Sequence, residues 1–467
     1  MTLLLRSCTQ ILVFWLIVST SLNGETLPFY RGADLSSLAE LEADDVQFLD
    51  QGAADNAINI LKSRGVNSVR LRLWHTPEEP WNGLSQTVEM AQRVKAAGLH
   101  LLLDIHYSDW WADPGSQTPP AAWNGLTVDQ MTDSTYAYTS TVMTAFLNAN
   151  VLPDMVQVGN EIGCGMLWPF GAICGADDTP EQWQQLAGFL NAGIDAIHDV
   201  GGDSIQIMIH DFRGGEALGA RWFFSQLTEY GVEFDIIGLS YYPWWHGSLS
   251  DLAANMGSLA YYEGKPVIVV ETAYPWTLGW IDNTNNIIGS EEQLLPDYPA
   301  TPSGQENFLE DLLDRVEDTW GELGLGVYYW EPAWTSGGEA GSPWENLALF
   351  DFDGNALPGM NAFGDPLSIQ EHASMPRDIA VTIYPNPANS ESHIQFKLGA
   401  GGKSSWQVFN LKGALLYSAQ VRGRPDELIH QTWQHSLGGG LQAPSGVYLL
   451  RVEGDDKIQT SRILVLN

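Results

Sequence analysis

Basic residues are scarce in this chain. Its 467 residues include 21 Lys and Arg against 57 Asp and Glu, a formal net charge of −36. So acidic a surface repels phosphate backbones, which speaks against a nucleic-acid partner. Cysteine is scarcer still, with 3 in all, and Cys8 lies in an N-terminal leader. The other two, Cys164 and Cys174, flank a loop containing Gly and Pro. In an oxidising compartment they are candidates for a disulfide, with two buried thiols as the alternative. Beyond the leader no apolar run is long enough to span a bilayer. Several catalytic signatures are also missing. His75, His106, His210 and His246 show no His-x-x-x-His or His-x-x-Glu-His spacing, which weakens a metal mechanism. A serine hydrolase has no Gly-x-Ser-x-Gly elbow to stand on, and no Gly-rich phosphate turn follows the first strand.

What is present points to export and to two domains. Arg6, the apolar stretch Ile11–Val18 and the small polar residues up to Gly24 form a secretory signal over residues 1–24. Residues 1–376 hold 12 basic and 50 acidic side chains, whereas residues 377–467 hold 9 and 7. A boundary therefore belongs near Met375-Pro376: a first domain over 25–370, a linker over 371–379 and a second domain over 380–467. The expected product is secreted, at the cell surface or beyond, and monomeric, acting on a neutral polymer. Nineteen Trp suit such a role, because indole is a platform for flat apolar faces, sugar rings included.

Between residue 29 and about 363, short apolar runs alternate with amphipathic stretches. The strand candidates are Tyr30–Asp34, Ser68–Trp74, His100–His106, Met155–Asn160, Ile205–His210, Ile236–Ser240, Pro266–Glu271 and Gly326–Trp330. Helical patterns lie between them at Ala53–Arg64, Thr87–Ala97, Asp129–Ala149, Glu181–Asp199, Ala217–Tyr230 and Gln305–Trp320. Eight such units predict an α/β fold, a closed (β/α)8 TIM barrel of parallel strands, over an open doubly wound sheet. After Pro376 short alternating strands predict a small antiparallel β-sandwich.

In such a barrel the C-terminal strand ends form one rim, where chemistry gathers. Two of the strands end on a glutamate, Glu161 and Glu271. A pair of carboxyls there is the minimum equipment for cleaving a glycosidic bond. One must be protonated near neutral pH and the other ionised, and neighbouring acids in a partly dry cleft separate their pKa values in that way. Asn160 is placed to meet a sugar 2-hydroxyl, Arg70 or Arg72 to keep the nucleophile ionised, and Trp rings to floor the cleft. Asp282-Asn283-Thr284-Asn285-Asn286 reads as a plain turn that has the donors for calcium, and Asp351-Phe352-Asp353-Gly354-Asn355 reads as a turn.

The rim residues carry a resemblance. Arg31-Gly32-Ala33-Asp34, Arg70-Leu71-Arg72-Leu73-Trp74, Asp104-Ile105-His106-Tyr107-Ser108-Asp109 and Trp111-Ala112-Asp113-Pro114 come first. Gly159-Asn160-Glu161-Ile162, Leu167-Trp168-Pro169, Ser240-Tyr241-Tyr242-Pro243, Val270-Glu271-Thr272 and Tyr329-Trp330-Glu331-Pro332-Ala333-Trp334 follow in order. Over about residues 28–363 this set resembles glycoside hydrolase family 53, the endo-β-1,4-galactanases, clan A barrels that act with retention. The resemblance implies β-1,4-galactan as substrate, Glu161 as proton donor and Glu271 as nucleophile. It places His106, Asp109, Trp111, Asn160, His210, Tyr242 and Trp330 around the substrate, and Arg72 is counted with them. No cofactor is required. A structural calcium ion, known in some members after strand seven, has Asp282 and Asn285 as its candidate ligands here. The tail resembles a type IX secretion sorting domain through Tyr384-Pro385-Asn386-Pro387, Val408-Phe409-Asn410-Leu411-Lys412-Gly413 and Ser445-Gly446-Val447-Tyr448, which implies the secretion machinery as a partner. A carbohydrate-binding sandwich is the rival for the tail. For the barrel, the rivals are a mannanase or cellulase type of clan A enzyme, or a non-catalytic sugar-binding barrel.

Overall fold

The computed structural model describes residues 27–335, 341–364, 381–386, 388–398, 401–410, 415–424, 427–435, 442–454 and 457–465. The expected leader and linker lie outside these residues. Eight parallel strands close into a barrel in chain order: β1 Tyr30–Asp34, β2 Ser68–Leu73, β3 His100–Ile105, β4 Met155–Val158, β5 Gln206–Asp211, β6 Ile236–Ser240, β7 Val267–Thr272 and β8 Gly324–Tyr329. The strands are buried on both faces, which is why runs such as Val267–Val270 are continuously apolar rather than alternating. One face fills the barrel with Leu102, Met155, Met208, Ile268, Val270 and Tyr328, and the other packs beneath the helices.

Those helices are α1 Ala57–Ser63, α2 Leu84–Ala96, α3 Val128–Asn148, α4 Pro180–Gly201, α5 Ala217–Glu229, α6 Leu249–Glu263 and α7 Pro302–Glu317. Caps set several of their ends. Thr127 and Gln130 form a capping box on α3, and Thr179 and Thr301 cap α4 and α7 ahead of a first-turn proline. The helix expected from Ala53 begins only at Ala57, because the Asn56 side chain accepts the Ile58 N–H and acts as its N-cap. Ala53–Ala54 instead pairs with Leu49–Asp50. Ser248 with Asp251 and the left-handed Gly264 mark the two ends of helix α6. After β8 the described residues form 3₁₀ turns, of which Pro358–Phe363 packs against α7 in place of an eighth α-helix.

The tail is the expected antiparallel sandwich. One sheet holds β9 Val381–Tyr384, β10 Ser392–Lys397 and β13 Leu428–Trp433. The other sheet holds β11 Lys403–Asn410, β12 Leu415–Arg422, β14 Gly446–Gly454 and β15 Lys457–Val465. Ile394, Phe396, Trp406, Val408, Trp433, Leu450 and Val452 fill the space between the two sheets. The first sheet docks on the barrel. Tyr384 lies over Gly257 of α6, where a Cβ would stand 2.7 Å from the tyrosine ring, so glycine permits the contact. His393 packs on Tyr261 at a centroid distance of 4.0 Å, and Lys397 pairs with Asp318 at 2.7 Å.

Candidate active site

At the end of β4 the chain turns sharply. Gly159 has φ +83°, and a Cβ there would meet Ile162 at 2.7 Å. Glu161 is itself left-handed, with φ 51° and ψ 42°. For an L-residue that conformation costs about 1–2 kcal/mol, so the surroundings must hold it in place. A disulfide between Cys164 and Cys174 closes the segment that follows, so the pair read from the sequence is bonded.

Three groups in series hold the acid. The Glu161 N–H donates to His210 Nδ1 at 3.3 Å, which leaves Nε2 as the protonated nitrogen facing Ser240 Oγ at 2.9 Å. Ser240 then donates to Glu161 Oε1 at 2.6 Å. Burial, and then the Arg70 charge, keep His210 well below its ordinary pKa, so it is neutral in this chain of bonds.

Glu271 reaches the same space from β7. Its Oε1 meets Arg70 Nη2 at 2.9 Å and its Oε2 accepts the Tyr242 hydroxyl at 3.1 Å. Arg70 therefore, rather than Arg72, holds this carboxylate. Arg70 also binds Asp34 and Asp104, each at 2.8 Å, so one guanidinium serves three carboxylates. Burial raises Glu271 to about 7, against the pull of Arg70. Burial, and then the charge on Glu271, push Glu161 well above the ordinary range, against the Ser240 hydrogen bond. The pair titrates jointly, and its last proton rests on Glu161 while Glu271 carries the charge.

The other expected residues divide by position. Asn160 donates to Ala112 O at 2.8 Å and accepts from Arg70 at 2.9 Å. His106 is tied to Asp104 at 2.9 Å and to the Ala112 N–H at 3.2 Å. Trp111 and Trp330 face one another with centroids 6.0 Å apart, and Trp330 meets Trp344 at 4.5 Å. Asp109 sits further out, accepting the N–H groups of Thr76 and Ala121 at 2.9 and 2.7 Å. Arg72 is buried under the aromatic floor, 4.0 Å from the Trp111 ring and 3.3 Å from Glu331. It faces the underside of Trp111 and acts on the floor through that ring. Tyr241 turns away and bonds to Gly247 O at 2.8 Å, so Tyr242 is the tyrosine of the site.

The site also uses residues that sequence reasoning did not single out: Ser240 on the acid, Asp104 and Gln157 in the polar network, and Glu331 and Trp344 at the floor. For Ser240, Asp104 and Gln157 the signal was a polar residue in an otherwise apolar strand, as with Gln157 in Met155–Val158, whereas Glu331 and Trp344 lie beyond β8. Among the described residues the buried indole N–H groups of Trp74, Trp244 and Trp344 have no acceptor. A basin of about 890 Å³ opens beside Glu161, walled by Phe212, Tyr242 and Trp245.

The loop expected to hold calcium follows β7. Asp282 accepts the N–H groups of Thr284 and Ser342 at 2.6 and 2.7 Å, and Glu345 accepts that of Ile281 at 2.7 Å. These carboxylates organise the turn holding Asn285. Among the described residues no group of three or more His, Cys, Asp or Glu gathers in metal-binding range. Among the described residues no helix is long and apolar enough to cross a membrane.

Comparison with known proteins agrees with this geometry. The profile of glycosyl hydrolase family 53 matches residues 30–363, and that of the secretion system C-terminal sorting domain matches 382–466. An arabinogalactan endo-β-1,4-galactanase of Cellvibrio japonicus is 38% identical over 365 residues, covering 74% of this chain and 93% of that one. An endo-β-1,4-galactanase of Bacillus subtilis is 32% identical, covering 73% and 86%. Among solved structures, an Ignisphaera aggregans GH53 catalytic domain superimposes with a TM-score of 0.68 at 36% identity, covering 73% of this chain and 96% of that one. A fungal β-1,4-galactanase gives a TM-score of 0.64 at 33% identity, covering 72% and 99%. On the family profile, the relatives and the barrel alike, this chain is a member of glycosyl hydrolase family 53, extended by a secretion sorting domain.

Proposed function

We propose that the protein is an exported endo-β-1,4-galactanase that cleaves internal bonds of (arabino)galactan by double displacement with retention. The observation that carries the reading is the pair Glu161 and Glu271, each held by its own partners and together sharing one buried site. Glu161 donates its proton to the glycosidic oxygen as Glu271 attacks the anomeric carbon, giving a leaving chain and a covalent glycosyl-enzyme. Esterification removes the Glu271 charge that had raised Glu161. The Glu161 carboxylate then takes a proton from water, which attacks the same carbon and frees Glu271. Trp111 and Trp330 offer faces for sugar rings. The two carboxyls supply nucleophile, acid and base, so the scheme needs no cofactor. All groups come from one chain, so a monomer suffices. The secretory signal and sorting domain together take the enzyme to the cell surface or the medium.

The test is hydrolysis of linear β-1,4-galactan, mannan and cellulose by the purified protein, with Glu161→Gln and Glu271→Gln alongside. Activity on galactan alone, abolished in both variants, is the expected result. Preferential hydrolysis of mannan or cellulose would replace the substrate, and full activity in either variant would remove the mechanism. The first-formed anomer, read by NMR, must be β, and an α product would rule out retention.

A further inference from the structure

The two halves of the rim differ in what they offer a sugar chain. Over β3 and β8 lie the rings of Trp111, Trp330 and Trp344, tilted or edge-on to one another. Over β4 to β6 lies the 890 Å³ basin, which has Glu161 in its wall but not Glu271. The proton donor must stand at the glycosidic oxygen, between the sugar under attack and the sugar that leaves. A space that meets the donor and not the nucleophile is therefore where the leaving chain goes. Its volume falls within the range of about 300–1,000 Å³ typical of small-ligand sites. Trp245, 61% exposed, gives it a bare ring face, with Phe212 beside it.

The charge of the lining is one-sided. Asp113, Glu216 and Asp251 all contribute carboxylates. The only arginine, Arg213, spends Nε on both oxygens of Asp211 at 3.0 Å and Nη2 on Gly163 O at 2.8 Å. His246 accepts the Tyr242 N–H at 2.9 Å, and burial lowers it to about 4, so it is neutral at working pH. Among the described residues no uncompensated cation lines the basin. An anionic sugar placed there meets like charges within a Debye length of about 8–10 Å.

We infer that this basin is a leaving-group site that accepts neutral hexose units on Trp245 and rejects units bearing a carboxylate. The inference rests on the galactanase reading and deepens it. It has a consequence for branched substrates. The leaving side faces the reducing end of the chain, so a galactan grafted on a uronate-bearing backbone is cut short of the graft, leaving neutral stubs on the backbone.

The test uses one galacto-oligosaccharide in two forms, its reducing end either reduced to galactitol or oxidised to galactonate. Wild type should cleave the bonds that bring the terminal unit into the basin about tenfold more slowly in the galactonate chain. Raising salt from about 20 mM to about 500 mM should narrow that gap, and so should the double variant Asp113→Asn/Glu216→Gln. Trp245→Ala should raise KM more than it lowers kcat and move cleavage of the neutral chain toward the reducing end. Equal rates at matched bonds in the two chains would overturn the charge filter alone, and an unchanged cleavage pattern in Trp245→Ala would overturn the platform. No cleavage of either chain would overturn the galactanase reading itself.

Discussion

The two ends of the barrel bury very different chemistry. At the C-terminal rim, Arg70, Asp34, Asp104, Glu271 and Glu331 are almost wholly removed from solvent, the four carboxyls sharing the guanidiniums of Arg70 and Arg72. At the opposite end the tail docks through rings: Tyr384 and His393 against Tyr261 and Trp320, with the ion pair Lys397–Asp318 at the edge. Burying charge lowers stability unless every partner is present, whereas burying aromatic surface stabilises on its own. One end is thus built for chemistry at the expense of stability, and the other for attachment.

Substitution at the rim should break this contrast most sharply. Glu271→Gln removes the nucleophile and should lower kcat/KM on galactan by at least about 10⁴-fold, read from reducing-sugar release. Arg70→Met leaves three carboxylates around an empty position and should cost about 3–5 kcal/mol in chemical denaturation, with activity lost as well. At the other end, Tyr384→Ala should cost the tail contact about 3–5 kcal/mol while kcat/KM stays at the wild-type value. Equal damage to activity by Tyr384→Ala would erase the distinction between the ends.

A smaller effect concerns pH. The folded-state pKa of Glu161 lies above its ordinary value, so folding and protonation favour one another. The favourable contribution is fully present below the unfolded pKa of about 4.3 and is lost as pH rises through the raised folded value. Glu161→Gln should therefore melt higher than wild type at pH 7, and the gap should close near pH 4. Catalysis itself should follow a bell, rising as Glu271 ionises around 7 and falling as Glu161 loses its proton. The smallest expected effect is that of a chelator. With Asp282 and Glu345 already accepting backbone N–H groups, EDTA should leave both Tm and kcat/KM unchanged, and a clear drop in Tm would reinstate a cation in that loop.

Much of this contrast was legible along the chain, and the reason is local. The barrel follows from eight apolar runs spaced by helical stretches, and the rim from polar residues at the ends of those runs. Glu161 and Glu271 stood out because a carboxylate closing an apolar strand has few other places to go. Helix α6 was less legible than its neighbours, because Leu249–Glu263 is apolar on much of its circumference and lacks a clear polar face. Asp109 was grouped with the substrate residues by its motif, yet its carboxylate secures two loops.

The chain order alone thus determined the strands and the change of style near Pro376, and it singled out the two glutamates, because each depends on neighbours within a few residues. Only the closed barrel decided that Arg70, not Arg72, meets Glu271, since both point inward from β2 and differ only in depth along it. Only the fold brought Ser240 and His210, from β6 and β5, to the acid on β4. It likewise separated a ring-lined half of the cleft from a carboxylate-lined one. Contacts between strand ends that lie far apart in sequence depend on register and closure, and no local pattern encodes them.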